Sequence, residues 1–148
     1  MFFFLKPILS AVNSVQHKLT RFLNDQIYPV LEPLSSYILK DPSSFVDQVK
    51  CINSKNTFMA FFDVRSLFTN VPLDEVVDIC VDTLYRLETP SISKNFFHKL
   101  LKLSTSCVQF TFISQMYSQH DWIAMGSPLG PTLFNIFMGF IKRKLISK

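Results

Sequence analysis

Apolar positions recur along most of the chain at three- and four-residue spacing, which lines one face of a helix. Val15, Leu19, Phe22, Leu23, Ile27 and Val30 form the first stripe, with Gln16, His17, Lys18, Arg21, Asn24 and Asp25 on other faces. Ser14 is the expected N-cap, and Pro29 and Pro33 break the helix so that it ends near Tyr28. Asp41-Pro42 reads as a cap followed by proline at the first helical position, opening a short helix with Phe45, Val46 and Val49 inward. Leu73, Val76, Val77, Cys80, Val81, Leu84 and Leu87 make a third stripe. Asn70 or Thr69 is its cap, Pro72 lies in its first turn, and Asp74 and Glu75 complement its positive end. Asp78 and Asp82 fall on solvated faces. Thr89-Pro90 closes this helix and Ser93 opens another, with Phe96, Phe97, Leu100, Leu101 and Leu103 apolar and Lys94, His98, Lys99 and Lys102 outside. A last helix follows Gly126-Ser127-Pro128 and carries Leu133, Ile136, Phe137, Phe140 and Ile141.

Two stretches break the helical period. After a polar turn from Asn53 to Asn56, the run from Thr57 to Val64 is apolar except at its ends and at Asp63, and it reads as a buried strand. A buried carboxylate without a partner costs several kcal/mol. A bound cation would offset that, and an aspartate closing a hydrophobic strand is how two-metal phosphoryl-transfer sites hold one of their ligands. Further on, Cys107 to Ile113 alternates as a strand, Ser114-Gln115 is the expected turn, and Met116 to Met125 returns. No Asn-Gly marks that turn, so its chemistry suits a two-residue hairpin poorly. The elements sum to an α+β fold, helices packed on a small antiparallel sheet. The Asp63 strand is expected at its centre, with an open edge where a pairing hairpin is missing.

Composition adds surface to this picture. The 148 residues are 48% hydrophobic with 16 phenylalanines against 18% charged, and a chain so apolar is expected to present faces built for neighbours. Net charge is +4, a modest bias towards a polyanionic partner and no basic patch. Cys51, Cys80 and Cys107 are far apart and odd in number, so neither a disulfide framework nor a zinc spacing is present and reduced, buried thiols are expected. His98 has no neighbouring carboxylate or second ligand in sequence and suggests no role. The apolar start Met1 to Leu5 is too short for a signal or a spanning helix, which leads us to expect an intracellular chain without a membrane partner, nucleus and cytoplasm being indistinguishable.

The wording of two segments goes further. Phe62-Asp63-Val64-Arg65-Ser66-Leu67-Phe68-Thr69-Asn70-Val71-Pro72 resembles the first catalytic motif of reverse transcriptases, most closely those of Penelope-like retroelements. Ala124 to Met138, containing Met125-Gly126-Ser127-Pro128-Leu129-Gly130-Pro131, resembles the second palm motif of the same family, in the expected order. The resemblance implies RNA-directed DNA polymerase activity on an RNA template, a DNA primer and deoxynucleoside triphosphates, with Mg²⁺ as cofactor. It puts metal binding at Asp63 and Val64, with Asp63 catalytic. Phe68 then lies under the sugar of the incoming nucleotide and excludes a 2′-hydroxyl; the plainer reading is one core phenylalanine among many. Lys6, where the family usually has arginine, is expected to reach the triphosphate as a point charge; a solvated lysine explains it equally well. Met125, Gly126 and Ser127 line the nucleotide pocket. Trp122 and Phe134 stand where the family has glycine and alanine, bulk that bears on close packing there.

The same resemblance exposes a deficit. Two Mg²⁺ about 3.5–4 Å apart need more than one carboxylate. The family draws the others from an Asp-Asp pair after the second motif, and the sequence contains no Asp-Asp dipeptide. Residues 1–148 therefore read as one partial reverse transcriptase domain, a fingers-palm fragment without the third palm motif, thumb or endonuclease. Alone it is expected to be inactive. The alternatives are a non-catalytic nucleic-acid-binding protein and a decayed retroelement remnant.

Overall fold

The computed structural model describes residues 14, 16–39, 41–52, 58, 60–64, 71–106, 108–119 and 126–146. Their helices are α1 (His17–Ile27), a 3-10 helix (Tyr28–Tyr37), α2 (Pro42–Lys50), α3 (Leu73–Leu87), α4 (Lys94–Ser106) and α5 (Leu129–Ile146). Strands β1 (Val108–Phe112) and β2 (Gln115–Gln119) pair antiparallel between α4 and α5. This is the α+β arrangement expected from the sequence, mostly helical with one small sheet among the described residues.

The core forms where α3 meets its neighbours. Leu73, Val76, Val77, Cys80, Val81 and Leu84 are buried along one side of α3. They join Leu23 and Ile27 of α1, Val30 and Leu34 of the 3-10 helix, Phe97 and Leu101 of α4, and Leu129, Leu133 and Ile136 of α5 in one cluster. Each full burial of such a side chain is worth about 1.5–3 kcal/mol, which is why the helical stripes read from the sequence decide the packing here. Burial also pushes the Cys80 thiol up to about 12. Cys51, in contrast, is exposed, so the expectation of buried thiols holds for one of this pair and fails for the other. Cys107 lies outside the described residues.

The start of α1 differs from expectation and its end does not. Ser14 contributes its carbonyl, which accepts from the His17 N–H at 3.1 Å, while Gln16 occupies the cap position and its side chain does not cap the helix. Thr20 turns its hydroxyl back onto the Gln16 and His17 carbonyls at 3.0 and 2.9 Å. Phe22, placed in the apolar stripe by spacing, is exposed. The helix ends at Ile27 as the prolines require, but the chain tightens into a 3-10 helix with Pro33 inside it. Proline lacks the N–H an α-helix would need there.

The 3-10 helix lies hard against α5. A Cβ added at Gly139 would come 2.9 Å from the Leu34 Cβ and 3.2 Å from its Cδ1, a distance real Cβ atoms essentially never show. Glycine in α5 is thus the condition for that close approach. A second tie joins α1 to α5, where the Thr132 hydroxyl donates to the Asn24 Oδ1 at 2.6 Å.

α3 and α4 carry paired charges along their exposed side. Asp82 meets Lys94 at 2.8 Å, Asp78 meets His98 at 2.8 Å and Asp74 meets Lys102 at 3.0 Å. Each series advances by four residues, so the rungs stack one helical turn apart on two antiparallel helices. This corrects the reading of His98 as partnerless and of the aspartates as merely solvated. The partners are distant in sequence, and no local pattern pairs them. A hydrogen bond from Lys94 holds the Asp82 carboxyl below its ordinary value of 3.8 against opposing desolvation, with further help from the charges of Lys94, Arg86 and His98. Exposed pairs of this kind contribute about 0.2–1 kcal/mol each, so the ladder sets register more than stability. The turn between the helices is pinned by the Tyr85 hydroxyl donating to the Ile92 carbonyl, with the Tyr85 ring edge-on to Phe97 at 6.1 Å.

Two other expectations fail. α2 is capped as read, the Asp41 carboxylate accepting from the Ser44 N–H and hydroxyl at 2.9 Å each, but Phe45, Val46 and Val49 are exposed. An amphipathic face is inward only if something packs on it, and none of the described elements does so closely. The run expected as a buried strand up to Val64 forms no strand in its described part, and Phe58, Phe61 and Phe62 are exposed. A single extended segment has no ladder partner for its backbone groups, and the only described sheet is β1 with β2.

The hairpin turn falls at Ile113-Ser114, one residue before the expected Ser114-Gln115, since Phe112 pairs with Gln115. Both turn residues have positive φ, 48° and 59°, as a two-residue primed turn demands. The absence of Asn-Gly therefore has a structural cost, because a β-branched isoleucine is strained there by about 1–2 kcal/mol.

Three outcomes follow from this packing. Gly139→Ala gains about 1 kcal/mol of helix propensity but loses about 1–3 kcal/mol to overpacking, a net loss of up to about 2 kcal/mol, so thermal unfolding should show Tm lowered by up to about 4–8 °C; a raised Tm would contradict the contact with Leu34. Replacing Ile113-Ser114 by Asn-Gly should slow hydrogen exchange at the paired Phe110 and Tyr117 amides about fivefold to thirtyfold, the factor for 1–2 kcal/mol. In a Cys107→Ser background at pH 8, a thiol reagent should modify Cys51 at once and Cys80 only on unfolding.

Candidate functional site

Asp63 is the residue on which the functional reading turns. It sits in the described segment 60–64 without helix or strand, and it is exposed, as is Val64. The premise of a buried acid is therefore corrected: no desolvation cost needs offsetting, and its carboxylate is open to solvent. Among the described residues it makes no hydrogen bond or ion pair.

The second motif is built differently. Gly126 has φ 99°, in the region that favours glycine, so a side chain at this position would strain the loop by about 1–2 kcal/mol. The Ser127 carbonyl accepts from the Gly130 N–H at 3.0 Å, which starts the first turn of α5. Leu129 and Gly130 are buried immediately after it. The loop is thus held by core packing on its helix side while Gly126 stays exposed. Of the residues nominated from sequence, Asp63, Val64, Gly126 and Ser127 are described, and no described hydrogen bond or ion pair joins the first two to the last two. Lys6, Phe68 and Met125 lie outside the described residues.

The donor set does not fit a two-metal site. Among the described residues no three His, Cys, Asp or Glu side chains lie close enough to hold a metal ion. Asp63 stands there as one carboxylate, where a pair of divalent ions needs several. The Asp74, Asp78 and Asp82 row is committed to the ladder with α4.

One surface escaped the sequence reading. Phe110, Phe112 and Tyr117 share a face of the hairpin, Phe110 and Tyr117 with ring centroids 5.5 Å apart and planes at 18°, Phe112 and Tyr117 at 6.5 Å and 58°. The Tyr117 hydroxyl donates to Gln115 Oε1 at 3.0 Å. The alternation of Phe110 and Phe112 was legible, but not that their face would stay open. At the end of α5, Arg143 lies over the Phe140 ring at 5.6 Å, beside Lys142 and Lys144.

No described helix is long and apolar enough to cross a membrane. No curated protein and no solved structure matches the chain. The model of the family described as reverse transcriptase (RNA-dependent DNA polymerase) matches residues 6–148 and so takes in both the Asp63 segment and the Gly126-Ser127 loop. With nearly its whole length matched, the chain belongs to the reverse transcriptase (RNA-dependent DNA polymerase) family.

Proposed function

We propose that this chain is the fingers-palm part of an RNA-directed DNA polymerase of the Penelope-like kind, and that Asp63 is the one carboxylate it contributes to a two-Mg²⁺ site. The observation that carries the reading is the family match across residues 6–148, which runs through both motifs. Template-directed nucleotidyl transfer is then the reaction class, with RNA template, DNA primer and deoxynucleoside triphosphates as partners. The Val64 carbonyl joins Asp63 at the metal. Phe68 bars a 2′-hydroxyl at the incoming sugar, Lys6 meets the triphosphate, and Met125, Gly126 and Ser127 line the nucleotide.

The exposure of Asp63 agrees with a ligand that meets its cation at an open surface. Two ions about 3.5–4 Å apart still require carboxylates beyond it. The 148 residues by themselves therefore hold no complete reaction centre, and we derive no catalytic step from them. An exposed Gly126 at positive φ, anchored by buried Leu129, supports a nucleotide-facing role, because glycine permits close backbone approach.

Two assays decide this. The 148-residue chain should not extend a primer on an RNA template with Mg²⁺. A longer reading frame that adds an Asp-Asp hairpin should do so, and Asp63→Asn in that frame should lower the rate by at least the ~10²–10³-fold that loss of a single electrostatic contact costs. Extension that persists in Asp63→Asn would remove Asp63 from the metal site. Phe68→Ala in the same frame should admit ribonucleotides, and unchanged sugar selection would return Phe68 to the core.

A further inference from the structure

The open ring face of the hairpin has a shape and chemistry of its own. Phe112 is 56% and Tyr117 42% exposed, with Phe110 half-buried beside them. At 150–250 Å² per aromatic side chain, the two outer rings leave roughly 200 Å² of open surface. A stable protein partner covers about 800 Å² on each side, several times the area of the ring pair alone, whereas one or two nucleobases match that area. Residues 108–119 carry no charge of either sign; Gln115, paired with Phe112, is a neutral polar group on the ring face, and Gln109, Thr111 and Ser118 fall on the opposite face. Nothing on the hairpin repels phosphate, and the chain as a whole is +4. The Tyr117 ring is stacked on Phe110 and its hydroxyl donates to Gln115, and the ring–ring contact favours one orientation before any ligand arrives. A rigid ring forfeits little entropy on stacking. The strands pack chiefly on each other, so the rings stand clear of the helical core.

We propose that Phe110, Phe112 and Tyr117 form a stacking platform for unpaired bases of the RNA template strand, with Phe112 and Tyr117 as the contacting rings. The platform rests on the template-strand role proposed above and adds the surface that holds the strand. Every base offers a π face, so binding here is tolerant of sequence, and each base stacked on an aromatic ring strengthens it about fivefold to a hundredfold. β2 leads through residues 120–125 towards the Gly126-Ser127 loop, so a strand held on the rings lies close in sequence to the proposed nucleotide-facing motif.

The test is binding of a fluorescent single-stranded RNA to the 148-residue chain and to two paired variants, Phe112→Ala with Tyr117→Ala and Phe112→Leu with Tyr117→Leu. The leucine pair keeps apolar bulk and tolerates a strand while removing the flat face. Circular dichroism and Tm report whether each variant folds. The expected result is a loss of tenfold or more in affinity for both pairs, with Tyr117→Phe within about twofold of the unsubstituted chain and duplex RNA, whose bases are already stacked, indifferent to all of them. Equal binding of single strands by the folded leucine pair would overturn the platform and leave the family role intact. Equal losses on duplex RNA, or concentration-dependent self-association abolished by the leucine pair, would also overturn it. Absence of any RNA binding by the unsubstituted chain would sink the template-strand role together with the platform.

Discussion

The helical core leans on one side of α3. Its buried row, Val76, Val77, Cys80, Val81 and Leu84, is touched by α1, the 3-10 helix, α4 and α5, and removing that row would leave the other helices with apolar faces and no common partner. Dispersion and burial are non-directional, so they bring the helices together without choosing their offsets. The offsets come from discrete contacts: Gly139 lets the 3-10 helix approach α5, Thr132 bonds to Asn24, and the Asp-Lys and Asp-His rungs align α4 on α3. Burial supplies the energy and these few contacts supply the geometry.

Against that core, two apolar regions stay open. α2 presents Phe45, Val46 and Val49, and the segment before Asp63 presents Phe61 and Phe62, with nothing described upon either. Exposed apolar area on this scale is costly in water and marks surfaces that serve contact. Both precede Asp63 in sequence, the second leading directly into it. The proposed polymerase role would account for them, since such a surface meets further strands and a nucleic acid. The hairpin differs in kind, because its open face is built from stacked aromatic rings beside the neutral amide of Gln115.

Legibility followed the range of the interaction. Helices α1, α3, α4 and α5 were readable because burying a stripe requires three- and four-residue spacing whatever the partner is. The Asp41 cap and the proline-driven end of α1 were readable because caps and missing N–H groups act within one turn. Failures began where a second segment was needed. Ser14 was read as a side-chain cap when only its carbonyl is used, and Ile113 was not seen as a turn residue because positive φ there is imposed by strand pairing. His98 was read as solitary because Asp78 lies twenty residues earlier, on another helix.

The candidate site divides the same way. Wording alone nominated Asp63, Phe68 and the Met125-Gly126-Ser127 segment, and the family match across residues 6–148 includes all of them. By itself the sequence determined the helical stripes and the family, since both depend only on which residues are present and how they are spaced. Tertiary structure alone decided that Asp63 faces solvent, that the acids of α3 are committed to α4 and that the hairpin rings stay uncovered. Exposure and pairing are properties of two surfaces at once, and a one-dimensional pattern describes only the first of them.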